Sequence, residues 1–294
     1  MNLRPVQTPE LNWSVGLQWA KNTNTVTNLV GNAFISLPFA GFTDPAGSAY
    51  VGYPLGEIRG SDFVRCGRGI VDPTYGSIDA LCGSAPKGAV FLGTDGYPLL
   101  DPNYEPIADP TPKWTGSVQS SLQHGGWTVS GLLDIKHGGQ IWNGTRGALT
   151  FFGKSAATLV RDVTRTFGKD YYTQFTFAGP GVEVPVQIDQ ANWYQGGIGS
   201  GFTGPSSQFI EDGGFVKLRE IAVAYTLNQP WVRTIFGFDA IDVRVSGRNL
   251  KTWTKYSGVD PETSLFGADV AQQGFDYFGT PQTRSFTFSV TLHH

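Results

Sequence analysis

At 294 residues, with 15% charged and 13% aromatic side chains, 39 glycines and 18 prolines, the chain is poor in solvated charge and rich in rings and turns. Its 40% hydrophobic content excludes a disordered chain, and a net charge of −3 gives no basis for binding nucleic acid. No apolar run approaches the ~18 residues of a membrane-spanning helix, which leaves open proteins that cross with alternating strands of unremarkable mean hydropathy.

The first ten residues lack the basic-then-apolar order of a signal peptide, so the expectation is either a cytoplasmic protein or a chain whose true beginning lies upstream. Period-two alternation then dominates. In residues 11–20, Trp13, Val15, Leu17 and Trp19 share one face, and Asn12, Ser14, Gly16 and Gln18 the other. Residues 50–59 form a weaker strand candidate, interrupted by Pro54 and two glycines. A long connection leads to residues 114–124, whose polar face is Thr115, Ser117, Gln119, Ser121 and Gln123. Gly125-Gly126 suits a hairpin turn. In residues 126–137, Trp127, Val129, Leu133 and Ile135 then alternate with Thr128, Ser130, Asp134 and Lys136.

Residues 141–214 read as a second long connection. Within it, residues 146–167 fit a short amphipathic helix marked by Leu159, Val160 and Val163. Gly197-Ile198-Gly199-Ser200-Gly201 reads as flexible loop, because a phosphate loop needs a strand before it and a helix after it. Ile221, Val223, Tyr225 and Leu227 mark a strand over 215–227, stopped by Asn228 and Pro230. In residues 239–249, Ile241, Val243 and Val245 alternate with Asp242, Arg244, Ser246 and Arg248. The last strand, 284–292, sets Phe286, Phe288, Val290 and Leu292 against Ser285, Thr287, Ser289 and Thr291.

These strands run about ten residues, the length that crosses a bilayer when tilted, against about five or six in soluble sandwiches. Short and long connections alternate, as in outer-membrane barrels. Trp13, Trp19, Trp114 and Trp127 fall near strand ends, where interfacial girdles place aromatic rings. The pattern therefore predicts an all-β chain, a segment of a large antiparallel transmembrane barrel with long extracellular loops. Its apolar faces would meet lipid, and Thr115, Gln119, Asp134, Asp242, Arg244 and Arg248 would face the lumen. A soluble β-sandwich has the same period, with its tryptophans in the core and those charges in solvent.

Several stretches carry a family resemblance. Gly214-Phe215-Val216-Lys217-Leu218-Arg219-Glu220-Ile221, Val245-Ser246-Gly247-Arg248-Asn249-Leu250, Thr252-Trp253-Thr254-Lys255-Tyr256 and Gly258-Val259-Asp260-Pro261-Glu262 resemble late strands of SusC/RagA-type TonB-dependent outer-membrane receptors. Tyr277-Phe278-Gly279 with Arg284-Ser285-Phe286-Thr287-Phe288, Pro112-Lys113-Trp114-Thr115-Gly116 and Gly138-Gly139-Gln140-Ile141-Trp142-Asn143 match as well. The most specific stretch runs from Asn249 to Glu262. The resemblance implies that residues 1–294 are the C-terminal part of the barrel, with plug, signal peptide and early strands upstream. It further implies nutrient import at the bacterial outer membrane, with a SusD-like surface lipoprotein and TonB as partners and outer-membrane lipid around the wall. Oligosaccharides or peptides would be the substrates. The strand near Trp13 and the one near Phe288 would be open edges. The alternative is a secreted soluble β-sandwich that binds carbohydrate.

No catalytic constellation and no cofactor site stand out. The four histidines, His124, His137, His293 and His294, show no carboxylate or cysteine at ligand spacing, so no metal is expected. Asn143-Gly144-Thr145 fits a glycosylation pattern that carries no such meaning in a bacterial protein. Trp142, Trp193, Tyr194, Trp253 and Tyr256 are rings of the kind that stack on sugars, and equally of the kind that pack loops or anchor at interfaces. Cys66 and Cys82, with fifteen residues between them in a glycine-rich stretch, suit a disulfide in an oxidising compartment or two separate thiols in the cytosol.

Overall fold

The computed structural model describes residues 1–37, 44–101, 103–172, 174–196, 205–267 and 272–294. Its main feature is one seven-stranded antiparallel sheet whose neighbours follow chain order. The strands are β1 (Asn2–Gln7), β2 (Leu11–Ala20), β3 (Trp114–His124), β4 (Trp127–His137), β5 (Phe215–Leu227), β6 (Ala240–Thr254) and β7 (Ser285–His293). Three short turns join them at one end: residues 8–10, Gly125-Gly126 and residues 228–239. Gly125 takes φ +56°, which the tight hairpin needs. The third turn contains helix α2 (Pro230–Phe236), begun by a proline and ended by Gly237 at φ +77°. Three long loops, residues 21–113, 138–214 and 255–284, leave from the other end.

Three expectations need correcting. Residues 50–59 are not a wall strand: Ala46–Tyr50 and Glu57–Gly60 form a hairpin within a small loop sheet, also containing Phe34–Ser36 and Glu105–Ala108. Gly52 and Gly56, at φ +90° and +87°, turn the chain between them. The strand near Trp13 is not an edge, because β1 pairs with it. Pro5 disguises β1 by falling where its register shifts between Leu3 and Val6, a break that an edge strand tolerates. The helix expected over 146–167 is displaced. Helix α1 occupies Gly144–Phe151, followed by a 3-10 turn at Ala156–Leu159 and a strand at Val163–Arg165. Asn143 caps α1 by accepting the Arg146 N–H at 2.9 Å, so the favourable start lies earlier than the apolar marks suggest. The glycine stretch 197–201 lies outside the described residues.

The register resolves the wall into two faces. Val6, Trp13, Leu122, Val129, Val223, Val245 and Phe288 form one unbroken apolar row across all seven strands. One residue along β2 to β7, Asn12, Gln123, Thr128, Ala224, Arg244 and Ser289 form a row on the opposite face that is polar except at Ala224. Exposure runs against the rule for soluble sheets. Val245 and Phe288, on the apolar face, are 51% and 67% exposed. The buried wall side chains Phe215, Lys217, Ala222 and Ser246 all belong to the polar face.

The conventional cores lie in the loops. Val64, Ile78, Ala89, Phe91 and Ala178 pack around a disulfide between Cys66 and Cys82, whose Cα atoms are 6.1 Å apart. Leu92, Phe167, Val186, Ile188, Trp193 and Tyr194 form a second core. Ile58, Ala108, Trp142, Phe209 and Phe275 form a third, drawing on all three loops.

Candidate functional site

The polar face and the loop seated on it make up the candidate site. In β5 the alternation changes phase, with Val216 and Leu218 on the apolar face and then Ile221 and Val223. The structure accommodates the change with a bulge: Leu132 pairs with Glu220 and Leu133 with Leu218, leaving Arg219 between ladder pairs. Lys217, Arg219 and Glu220 consequently crowd the polar side together.

Above them the third loop makes a tight turn. The Asp260 carbonyl accepts from the Thr263 N–H at 3.1 Å, and the Asp260 carboxylate accepts from the Glu262 N–H at 3.0 Å. This turn points two carboxylates at the wall. Lys217 Nζ lies 2.6 Å from Asp260 Oδ1 and 2.5 Å from Glu262 Oε2. Arg219 bridges Glu262 to Asp134, the latter at 2.7 Å. Gln282 closes the group by donating to Glu262 at 3.2 Å. Burial alone would raise the Glu262 carboxyl, but hydrogen bonds from Arg219 and Lys217 outweigh it and hold it below the usual carboxylate range. A cavity of about 440 Å³ opens beside the clamp, lined by Thr115, Asp134, Lys136, Phe215, Glu262 and Gln273.

Farther along the polar face, Glu220 receives Arg244 at 2.5 Å and Arg248 at 3.0 Å. His293 lies 2.7 Å from Asp242. Arg244 and Arg248 keep roughly half or more of their side chains open, at 47% and 65%. The charges expected on the polar side are therefore there, in pairs that local spacing does not reveal.

Hydrogen bonds tie the loops into one mass. Asp44 accepts from Ser61 at 2.5 Å and also from Ser206, joining the first and second loops. Ser207 donates to Asp62 at 2.6 Å, and Asp62 also binds Arg65 and Arg68. Burial would raise the Asp62 carboxyl, but those hydrogen bonds and charges leave it depressed. Glu211 joins the second and third loops by accepting from Ser257 N–H at 2.8 Å and pairing with Arg146 at 2.9 Å. Asn143 is buried and donates to Glu211 at 3.0 Å.

The aromatic candidates separate. Trp142, Trp193, Tyr194 and Tyr256 are all buried, so they offer no open face on which a sugar could stack. Trp142 lies parallel to Tyr277 at 6.1 Å. Trp193 donates to the Tyr171 hydroxyl at 3.1 Å, and Tyr194 to the Val160 carbonyl at 2.6 Å. Tyr256 donates to Asp276 at 2.5 Å; burial, reinforced by that carboxylate, pushes its phenol well above the usual range. Trp253 differs: it is half exposed on the apolar face, paired with Val216 at the loop end. The structure does not bring the five rings together. Other aromatics frame the apolar face, with Trp19 and Trp114 beside Trp253's end, and Trp127, Tyr225 and Trp231 at the turn end. Trp127 and Tyr225 pack at 4.6 Å.

Lys217, Arg219, Asp260 and Glu262 form a cluster of ion pairs that residue types alone do not single out. They fall inside the family-like motifs, and the phase change in β5 was the available signal. Among the described residues, no three His, Cys, Asp or Glu side chains converge as metal ligands would. No described helix is long and apolar enough to cross a membrane, which says nothing of crossing by strands.

No family profile matches the chain. It is 23% identical over 306 residues to "TonB-dependent receptor P3" of Formosa agariphila, matching 99% of this chain and 28% of the relative. "TonB-dependent receptor P26" of the same organism is 23% identical over 304 residues, again 28% of its length. Among solved structures, the chain superposes on the RagAB peptide importer in its 'closed-closed' state with TM-score 0.59 and 17% identity. The 'open-open' state gives TM-score 0.58 and 16% identity, and each match spans 28% of the solved chain.

Proposed function

We propose that this chain, which has the fold of a segment of a SusC/RagA-type TonB-dependent receptor barrel, is the C-terminal part of an outer-membrane nutrient importer. In this reading the apolar face meets lipid, the polar face lines the lumen, and the three long loops form part of the extracellular closure. The plug and the TonB-contacting segment precede residue 1. A SusD-like lipoprotein closes the outer side, and TonB supplies energy from the periplasm. The cargo is an oligosaccharide or a peptide, moved without chemical change.

One observation carries the reading: an in-register apolar row spans seven strands and is exposed from Trp13 to Phe288, while the polar face holds the wall's buried side chains. Water would penalise that arrangement, whereas a bilayer on one side and a wet lumen on the other stabilise it. The lengths agree, since β2, β3 and β4 have 10, 11 and 11 residues and about 9–11 cross a bilayer. The clamp between β5 and the third loop then fixes an extracellular loop against the lumen wall, beside the path of a solute.

The test is expression of the 294 residues alone. With two open edges and a bare apolar face, the chain should sediment without detergent and disperse with it. A monodisperse, detergent-free monomer would overturn the membrane reading and favour a soluble carbohydrate-binding protein.

A further inference from the structure

We propose that the loop end of the lipid-facing wall is a built seat for a net-anionic, phosphate-bearing lipid headgroup of the surrounding leaflet, centred on Lys113 and Lys255. The inference rests on the membrane reading above but goes beyond it, to a contact with lipid rather than with cargo at the loop-end rim of the wall. The last apolar row of that face runs Trp19, Gly116, Ile135, Val216, Trp253. Just beyond it, Trp114 pairs with His137 and stacks on its ring at 5.2 Å.

Two clefts of about 860 and 510 Å³ open over this rim and share Asp109, Thr111, Lys113 and His137. The larger also takes in Ile135, Val216, Trp253 and Lys255 and reaches over the rim to Lys136 and Phe215 of the polar face, and the smaller takes in Trp19, Trp114 and Lys21. An apolar floor thus meets a cationic ledge at one level, which matches an amphiphile with acyl chains below and an anionic group above.

The lysines are free to bind it. Lys21, Lys113 and Lys255 are exposed, and among the described residues none of them has an ion pair. Lys251, on the same face one position deeper than Trp253, is exposed and unpaired as well. Of the acids lining the larger cleft, Glu211 is paired with a cation, whereas Asp109 and Asp212 keep their charge and turn toward backbone N–H groups. Asp109 accepts from the Thr111 N–H at 2.8 Å and Asp212 from the Gly214 N–H at 2.8 Å. Glu211 is held by Arg146 and Ser257. A lysine reaching from an apolar surface keeps its stem in the hydrocarbon and its ammonium at headgroup level, where an anionic surface attracts it.

The experiment uses the whole chain in detergent, titrated with lipid A, a bis-phosphorylated glycolipid, or with phosphatidylcholine, bound lipid being counted by native mass spectrometry. Lipid A should bind on the order of tenfold more tightly than phosphatidylcholine. Lys113→Gln/Lys255→Gln should abolish that preference, and Lys113→Arg/Lys255→Arg should keep it. Arg244→Gln/Arg248→Gln, which removes equal charge from the polar face, should leave it intact. No preference in the wild type, or an equal loss in the polar-face variant, would overturn the headgroup seat while leaving the membrane reading standing. A chain that takes up neither lipid nor detergent would overturn both.

Discussion

The wall and the loop mass solve opposite folding problems with the same side chains. The loops bury their rings in three cores, with Trp142 at 1% exposure and Trp193 at 0%. The wall leaves Trp19 68% and Phe286 73% exposed. A loop core is stabilised by withdrawal of apolar area from water, at about 25 cal/mol per Å². The wall gains its stability from ladder hydrogen bonds and from a surrounding solvent that is itself apolar. The difference teaches that exposure has meaning only against the solvent each surface meets.

If that contrast is right, perturbations should stay on their own side of it. The largest effect is expected for Trp193→Ala, at roughly 3–5 kcal/mol of loop stability. Hydrogen exchange should accelerate across residues 163–194 and leave β3 to β5 protected; acceleration of the wall as well would show the two regions fold as one unit. Next comes Cys66→Ser/Cys82→Ser. The bond closes a separation of 16 residues, so its loss should cost about 3 kcal/mol. Limited proteolysis should then nick the first loop while the sheet survives, and an unchanged digestion rate would remove the disulfide from the account.

On the wall, Val223→Arg places a charge in the middle of the apolar row. In a bilayer this should cost roughly 2–4 kcal/mol, measured as a lowered midpoint of denaturation from lipid vesicles. At a water-exposed site the same change would stay within about 0.5 kcal/mol, and that result would erase the contrast. Glu262→Gln should loosen the third loop by roughly 1–3 kcal/mol, since it removes the shared partner of Lys217 and Arg219. The folded Glu262 carboxyl is held below its ordinary value of 4.5. Its contribution is therefore present above about 4.5 and lost as pH falls through the depressed value. Hydrogen exchange of residues 255–282 should rise in acid in the wild type, and Glu262→Gln should show that rise at neutral pH with a flatter profile.

How much of this is legible in the chain differs by region. For β2, β3, β4 and β7 the strand limits follow from alternation within a residue or two, because a pleated backbone sends successive side chains to opposite faces. β6 runs past the expected stop at Asn249. That residue takes φ +52° at a register shift, its amide donates to the Thr283 carbonyl at 3.0 Å, and the ladder resumes at Lys251. For the rings of the loops the sequence left ligand stacking and loop packing both open, and Trp142 and Trp193, in loops by sequence, lie in cores by structure. Nothing local distinguishes a ring that stacks on a ligand from one that stacks on Tyr277.

By itself the sequence determined the two faces of the wall, the alternation of short turns with long loops, and the placement of tryptophans at strand ends. The faces are a property of neighbours one or two residues apart, and the turns, loops and strand ends follow from where that alternation starts and stops. Only the tertiary structure decided the edge role of β1, the meeting of Lys217 and Arg219 with Asp260 and Glu262, the loop cores, and the staples such as Ser206 on Asp44. The partners in the clamp and the staple lie 43 to 162 residues apart. Contacts at that distance are chosen by what the folded loops can reach and desolvate together, and a pleat's period of two carries no record of that choice.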